Sequence, residues 1–199
     1  MADQLSIERA RSAVLIMDYQ AAVVTGFASD HEALLKRSAE VLSKSRGAGL
    51  KIIYIVVNFR PGYPEVSPRN VNFNAVRQSG RFIAEAGTEV HPAVAPQPGD
   101  IVVVKHRVGA FPGTDLDMIL RANDIETLVM FGIATSGVVL STLRHAADAD
   151  YRLVVLKDCC SDRDAEVHRV LVEKVFPRQA KVVTAAEFVG ALDRPNSPS

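Results

Sequence analysis

The sequence predicts a three-layer α/β/α sandwich, and two observations carry the prediction. Short, almost wholly apolar runs recur along the chain, and stretches with helical spacing of apolar residues lie between them. Runs that are apolar at consecutive positions, rather than at alternate ones, suit strands covered by helices on both faces. With 199 residues, 48% of them hydrophobic and 23% charged, the chain has material for one sizeable core. One domain over 1–199 is expected, its core spanning 11–192 ahead of a short flexible tail.

The first run, residues 13–17, ends at Asp18, with Tyr19 and Gln20 extending its polar end. A helical pattern over 30–46 leads to the second run, 51–57. Residues 60–99 break the alternation: Pro61, Gly62, Pro64 and Pro68 mark a loop, and a short helix is expected within 74–84. Long loops at the carboxyl ends of parallel strands build pockets, so this segment reads as a substrate cover or a subunit contact. The third run, 100–104, ends at Lys105 and is followed by a helix over 115–122. The fourth, 127–131, breaks into Gly132-Ile133-Ala134-Thr135-Ser136-Gly137 and restarts as a helix over 136–149. The fifth, 152–156, precedes a helix over 162–175, and a shorter sixth run at 180–183 reads as an edge strand. This βα alternation is what a layered sandwich requires.

Composition narrows the function classes. Lys plus Arg and Asp plus Glu are 23 each, so no global field favours nucleic acid or an anionic membrane. No apolar run approaches the ~18 residues of a membrane span, and Met1-Ala2-Asp3-Gln4 lacks a basic leader, so a soluble cytoplasmic protein is expected. Cys159 and Cys160 are adjacent and form no CxxC or Cys/His spacing, which leaves either structural thiols or one reactive thiol near a strand end. The five histidines, His31, His91, His106, His145 and His168, are scattered without metal-ligand spacing, and no metal or cofactor is expected. The glycines form neither GxGxxG nor a Walker pattern. Asp162 and Asp164 read as the start of the following helix rather than a cation site.

Two residues stand out by position. A carboxylate at the carboxyl end of a central parallel strand, as at Asp18, can be partly buried and tuned for proton transfer, or it can be a plain turn residue. A lysine in the same place, Lys105, can stabilise that carboxylate or an anionic substrate, or it can snorkel to solvent. The two functional readings require Asp18 and Lys105 to converge. The turn at Thr135, Ser136, Gly137 and Val138 offers backbone amides beside a helix start, a place for an oxyanion. Its serines have no evident histidine base.

The combination of Asp18-Tyr19-Gln20, Lys105 with Phe111 six residues later, and Gly132 through Val139 resembles the isochorismatase-like hydrolase family, also called cysteine hydrolases. The resemblance implies a six-stranded parallel sheet, a small-molecule substrate, a homo-oligomer (dimer or tetramer) and an Asp-Lys-Cys triad carried here by Asp18, Lys105 and position 138. It also implies a non-proline cis peptide, placed at Ala134-Thr135. Position 138 is valine, which has no nucleophile, so the family's covalent route cannot run there. The family's isochorismatases cleave a vinyl ether with the aspartate as acid and water as nucleophile, chemistry that tolerates Val138.

The reading is therefore a hydrolase without the usual cysteine, working by acid-assisted vinyl-ether or other water-mediated hydrolysis. A catalytically inactive ligand-binding or assembly protein of the same fold, and an amidase with a displaced nucleophile, are the alternatives. A carboxylate-bearing substrate would need cations at the rim, where Arg60, Arg69 and Arg107 are available, unless they serve as surface or salt-bridge residues. Phe111 is expected to wall the pocket, with Thr135, Ser136, Gly137 and Val138 lining it and Thr114 capping the next helix.

Overall fold

The computed structural model describes residues 5–28, 30–83 and 89–194. Six parallel strands form one sheet: β1 (Ser12–Met17), β2 (Lys51–Val57), β3 (Ile101–Lys105), β4 (Thr127–Gly132), β5 (Arg152–Leu156) and β6 (Lys181–Val183). Their spatial order is β3-β2-β1-β4-β5-β6, so the chain starts at the centre, winds to one edge, and crosses back over to build the other. The helices are α1 (Ala21–Phe27), α2 (His31–Gly47), α3 (Val71–Ser79), α4 (Leu116–Ala122), α5 (Leu140–Asp148), α6 (Ala165–Val170) and α7 (Ala185–Leu192). The predicted sandwich and its six strands are present.

The central strands β1 and β4 are buried at every position, as their continuous apolar runs require. β3 differs: Val103 and Lys105 are buried while Val102 and Val104 are exposed, because this strand lies at the edge with one face uncovered. β1 and β4 approach closely at their carboxyl ends. A Cβ on Gly132 would lie 2.7 Å from the Met17 carbonyl oxygen, so glycine is what lets the strands meet there.

The long connection after β2 carries its own small core. Val57, Phe59, Tyr63, Val66 and Phe73 form an apolar cluster separate from the main one. α3 begins three residues earlier than the predicted 74–84 helix, because Asn70 caps it by accepting the Phe73 amide, and it stops at Ser79 because Gly80 takes a left-handed conformation at φ 68°. Residue 84 lies outside the described residues, as do 195–199 of the expected tail. α1 and α7 have no counterpart in the sequence reading. α7 nevertheless carries a capping box, Thr184 and Glu187. Among the described residues, no helix is long and apolar enough to cross a membrane.

Candidate active site

Asp18 is the first residue beyond β1, and its φ of 56° turns the chain out of the strand. The left-handed region disfavours most side chains but admits aspartate, so the sequence marks this kink with a residue that tolerates it. Its amide still donates to the Ile55 carbonyl at 2.8 Å, which holds the kink against β2. Gln20 reinforces the junction: its side-chain amide bonds both the N–H and the C=O of Val57, at 2.9 and 3.0 Å.

Lys105 ends β3, two strands away. Met17 pairs with Ile55, and Val57 pairs with Lys105, so β2 separates the two positions by about 10 Å of sheet. A lysine is long enough to cross that gap. Its Nζ lies 2.9 Å from Asp18 Oδ2, with 3% and 9% of the two side chains exposed, and it also donates to the Arg107 carbonyl at 3.1 Å. The two strand-end residues therefore converge. Asp18 Oδ1 is buried and, among the described residues, has no hydrogen-bond partner.

Burial raises the Asp18 carboxyl above its ordinary range, against the opposing pull of the Lys105 ammonium and its hydrogen bond and of the Val57 backbone. Desolvation favours the neutral acid and the ammonium favours the anion. A carboxyl held between these two can exchange a proton, and its second oxygen is free to do so.

On the other side of β1, the β4–α5 connection is a wide turn over Thr135–Val139, with Gly137 outside helical geometry at φ −98° and ψ −105°. A cis peptide stands at Ile133–Ala134, one residue before the position the resemblance implied. Thr135 is wholly buried; its amide donates to the Ser161 carbonyl at 2.9 Å, and its hydroxyl lies 2.8 Å from His168 Nδ1. The Ser136 amide is taken by Asp162 Oδ2 at 2.7 Å. Val138 is 2% exposed.

The side chains of the remaining expected residues have partners of their own. Arg60 pairs with Glu65 at 2.5 Å, and the Arg107 guanidinium donates to the carbonyls of His106 and Glu65 at 2.6 and 3.2 Å. Neither side chain is bonded to Asp18. Phe111 stacks on His145 of α5, with centroids 4.4 Å apart, and tilts against Tyr151 just before β5, toward the end of the sheet where the strands begin. Thr114 was expected to cap α4, but the cap position is Asp115, which makes no side-chain cap bond; Thr114, one residue earlier, accepts the Leu116 amide at 3.3 Å. Asp164 caps α6 by accepting the amides of Glu166 and Val167, as its place before a helix implied. Cys159 and Cys160 are buried and unbridged. Burial pushes the Cys159 thiol up to about 12 and Cys160 also upward, which suits packing thiols rather than nucleophiles. Among the described residues, no three His, Cys, Asp or Glu side chains form a metal-holding group.

Sequence reasoning missed His168 as a partner of the turn. The two residues are 33 positions apart and meet only because β5 brings the start of α6 beside the end of β4; no local spacing signals it.

A parallel α/β sandwich with a buried carboxylate–ammonium pair at the carboxyl ends of its strands defines a class with hydrolases in it, and comparison with known proteins places the chain there. The isochorismatase domain matches residues 12–187. The chain belongs to the isochorismatase family. It is 32% identical to the ureidoacrylate amidohydrolase RutB of Azorhizobium caulinodans, covering 94% of this chain and 92% of that one. It is 28% identical to the isochorismatase family protein YecD of Escherichia coli O157:H7, covering 94% and 100% of the two chains. Among solved structures, an isochorismatase family protein from Burkholderia thailandensis superposes with a TM-score of 0.80 at 26% identity, covering 96% of this chain and 100% of that one.

Proposed function

We propose that this protein is a small-molecule hydrolase in which Asp18 acts as general acid, Lys105 as its electrostatic partner and water as the nucleophile, on an acid-labile bond such as a vinyl ether. The observation that carries the reading is the buried Asp18–Lys105 pair, in which Lys105 holds Oδ2 and leaves Oδ1 without a partner. In this mechanism Oδ1 delivers a proton to the terminal enol-ether carbon. The resulting oxocarbenium centre is attacked by water, whose proton returns to the carboxylate. The hemiketal then collapses to a ketone and an alcohol. No thiol enters any step, which agrees with valine at position 138.

An amide-cleaving reading, suggested by the name of the A. caulinodans relative, needs a nucleophile. Cys159 and Cys160 are buried with raised thiols, and Thr135 is wholly buried with its hydroxyl engaged, so these three do not supply it, which leaves the turn serine Ser136 and Ser141 of α5 as its candidates. A second reading, a ligand-binding or assembly protein without catalysis, is supported by the burial of Asp18 and Val138, at 7% and 2% exposure.

The test is pyruvate release from isochorismate by the wild type and by Asp18→Asn, with folding of both checked by circular dichroism. The hydrolase reading expects wild-type turnover reduced by roughly 10²–10⁴-fold in the variant. Equal turnover in both would remove Asp18 from the chemistry, and no turnover in either would remove isochorismate as the substrate, leaving another small-molecule substrate or the binding reading.

A further inference from the structure

The β4–α5 turn is fastened to the β5–α6 segment at three points. The Thr135 amide bonds the Ser161 carbonyl, the Ser136 amide bonds Asp162, and the Thr135 hydroxyl meets His168 Nδ1. Only the third involves a group that titrates near neutrality. Its proton arrangement follows from counting. Thr135 is wholly buried, and among the described residues His168 is the one partner of its hydroxyl. A buried hydroxyl proton without an acceptor is costly, so the hydroxyl donates and Nδ1 accepts. His168 is then neutral, with its proton on Nε2.

We propose that His168 is a positioning residue for the site, a latch whose neutral ring holds the Thr135–Val139 turn in place and whose protonation releases it. A proton on Nδ1 removes the acceptor and sets two donors face to face. Thr135 must then turn its oxygen to the ring and leave its own hydrogen buried and unpaired. The loosening falls on the turn that carries Gly137 and Val138. The inference concerns the turn itself and stands whichever bond the site cleaves.

The surroundings agree. Burial lowers His168 from its ordinary value of 6.5, while the charge of Asp162 opposes that shift. The turn packed against the ring carries no charged residue. Asp164, Glu166 and Arg169 lie on α6 itself or at its cap, and Glu173 and Lys174 on the continuation of that helix.

The experiment is hydrogen exchange of the Gly137 and Val139 amides, both of which bond the Ala134 carbonyl, in the full chain at two pH values, about 7.5 and about 5, that bracket the ordinary histidine range. Rates are corrected for intrinsic exchange and referred to β4 amides as an internal standard. In the wild type, protection of the turn falls severalfold at the lower pH while β4 holds. His168→Asn places a non-titrating acceptor near Nδ1, and its turn keeps wild-type protection at both pH values. Thr135→Val, which leaves the ring in place, is weakly protected at both. Unchanged wild-type protection between the two pH values overturns the proposal. So does the wild-type pH dependence surviving in Thr135→Val, a readout that does not require the His168 variant to fold.

Discussion

The two ends of the sheet use the same chemistry with opposite consequences. Where the strands begin, Glu126 pairs with Arg11 and Arg152 at 2.7 and 3.3 Å, and each of these side chains is more than a third exposed. Water solvates both charges whether or not they pair, so such contacts contribute little. Where the strands end, Asp18 and Lys105 make a pair of similar length with at most 9% of either side chain exposed. There each charge depends on the other, because neither has water to fall back on. Burial, rather than the identity of the residues, turns an ordinary ion pair into a group that can hold or release a proton.

The sharpest way to break this contrast is Lys105→Met. Leaving Asp18 buried without its ammonium is expected to cost about 3–5 kcal/mol, read by urea denaturation at neutral pH. Adding Asp18→Asn should recover much of that loss, a coupling that the double-mutant cycle isolates. The pH dependence has a defined sign. Asp18 is raised by burial even in the wild type, and removing the ammonium leaves burial unopposed. A carboxyl raised in the folded state stabilises below its unfolded value and loses that contribution as pH rises through the folded one. Lys105→Met should therefore regain stability as pH is lowered from neutrality, and equal loss at all pH values would contradict the assignment.

A smaller effect is expected at Gly132. An alanine there would press its Cβ to 2.7 Å from the Met17 carbonyl oxygen and 2.8 Å from the Met17 Cβ. Since backbone must move to relieve it, Gly132→Ala should cost about 1–3 kcal/mol by the same denaturation measurement. His168 follows. Its folded value lies below 6.5, so the stability it contributes is present above 6.5 and lost as pH falls through the lowered folded value. His168→Asn should flatten that part of the melting-temperature profile between neutral and acid pH. Least of all, Arg11→Ala and Arg152→Ala at the opposite end should each change stability by about 0–1 kcal/mol, with added salt narrowing the difference further.

Much of this was legible in the sequence, for reasons that also explain what was not. The inner strands declared themselves because burial on both faces demands continuous apolar runs. β3 was found by the same signal, yet its alternating exposure depends on being an edge strand, which strand order decides. α1, with the sequence AAVVTGF, has β-branched residues, a glycine and no side-chain cap, so nothing local marks it as helix. α7 was not read from the sequence, although the Thr184 and Glu187 of its capping box are a local signal for its start. Asp18 and Lys105 were visible as polar residues ending apolar runs, but their meeting required β2 to lie between β1 and β3. Phe111 was expected in the pocket from its loop position; its stacking on His145 draws it to the helical layer instead. Arg60 found a carboxylate five residues away in its own loop, a local pairing that the separate cluster of Phe59, Tyr63 and Phe73 stabilises by ordering that loop.

The most direct measurement is a ¹³C carboxyl NMR titration of Asp18 in the wild type and in Lys105→Met. The account predicts a midpoint above the ordinary aspartate value in the wild type and higher still in the variant. A wild-type midpoint at or below the ordinary value, or one that Lys105→Met leaves unchanged, would contradict it.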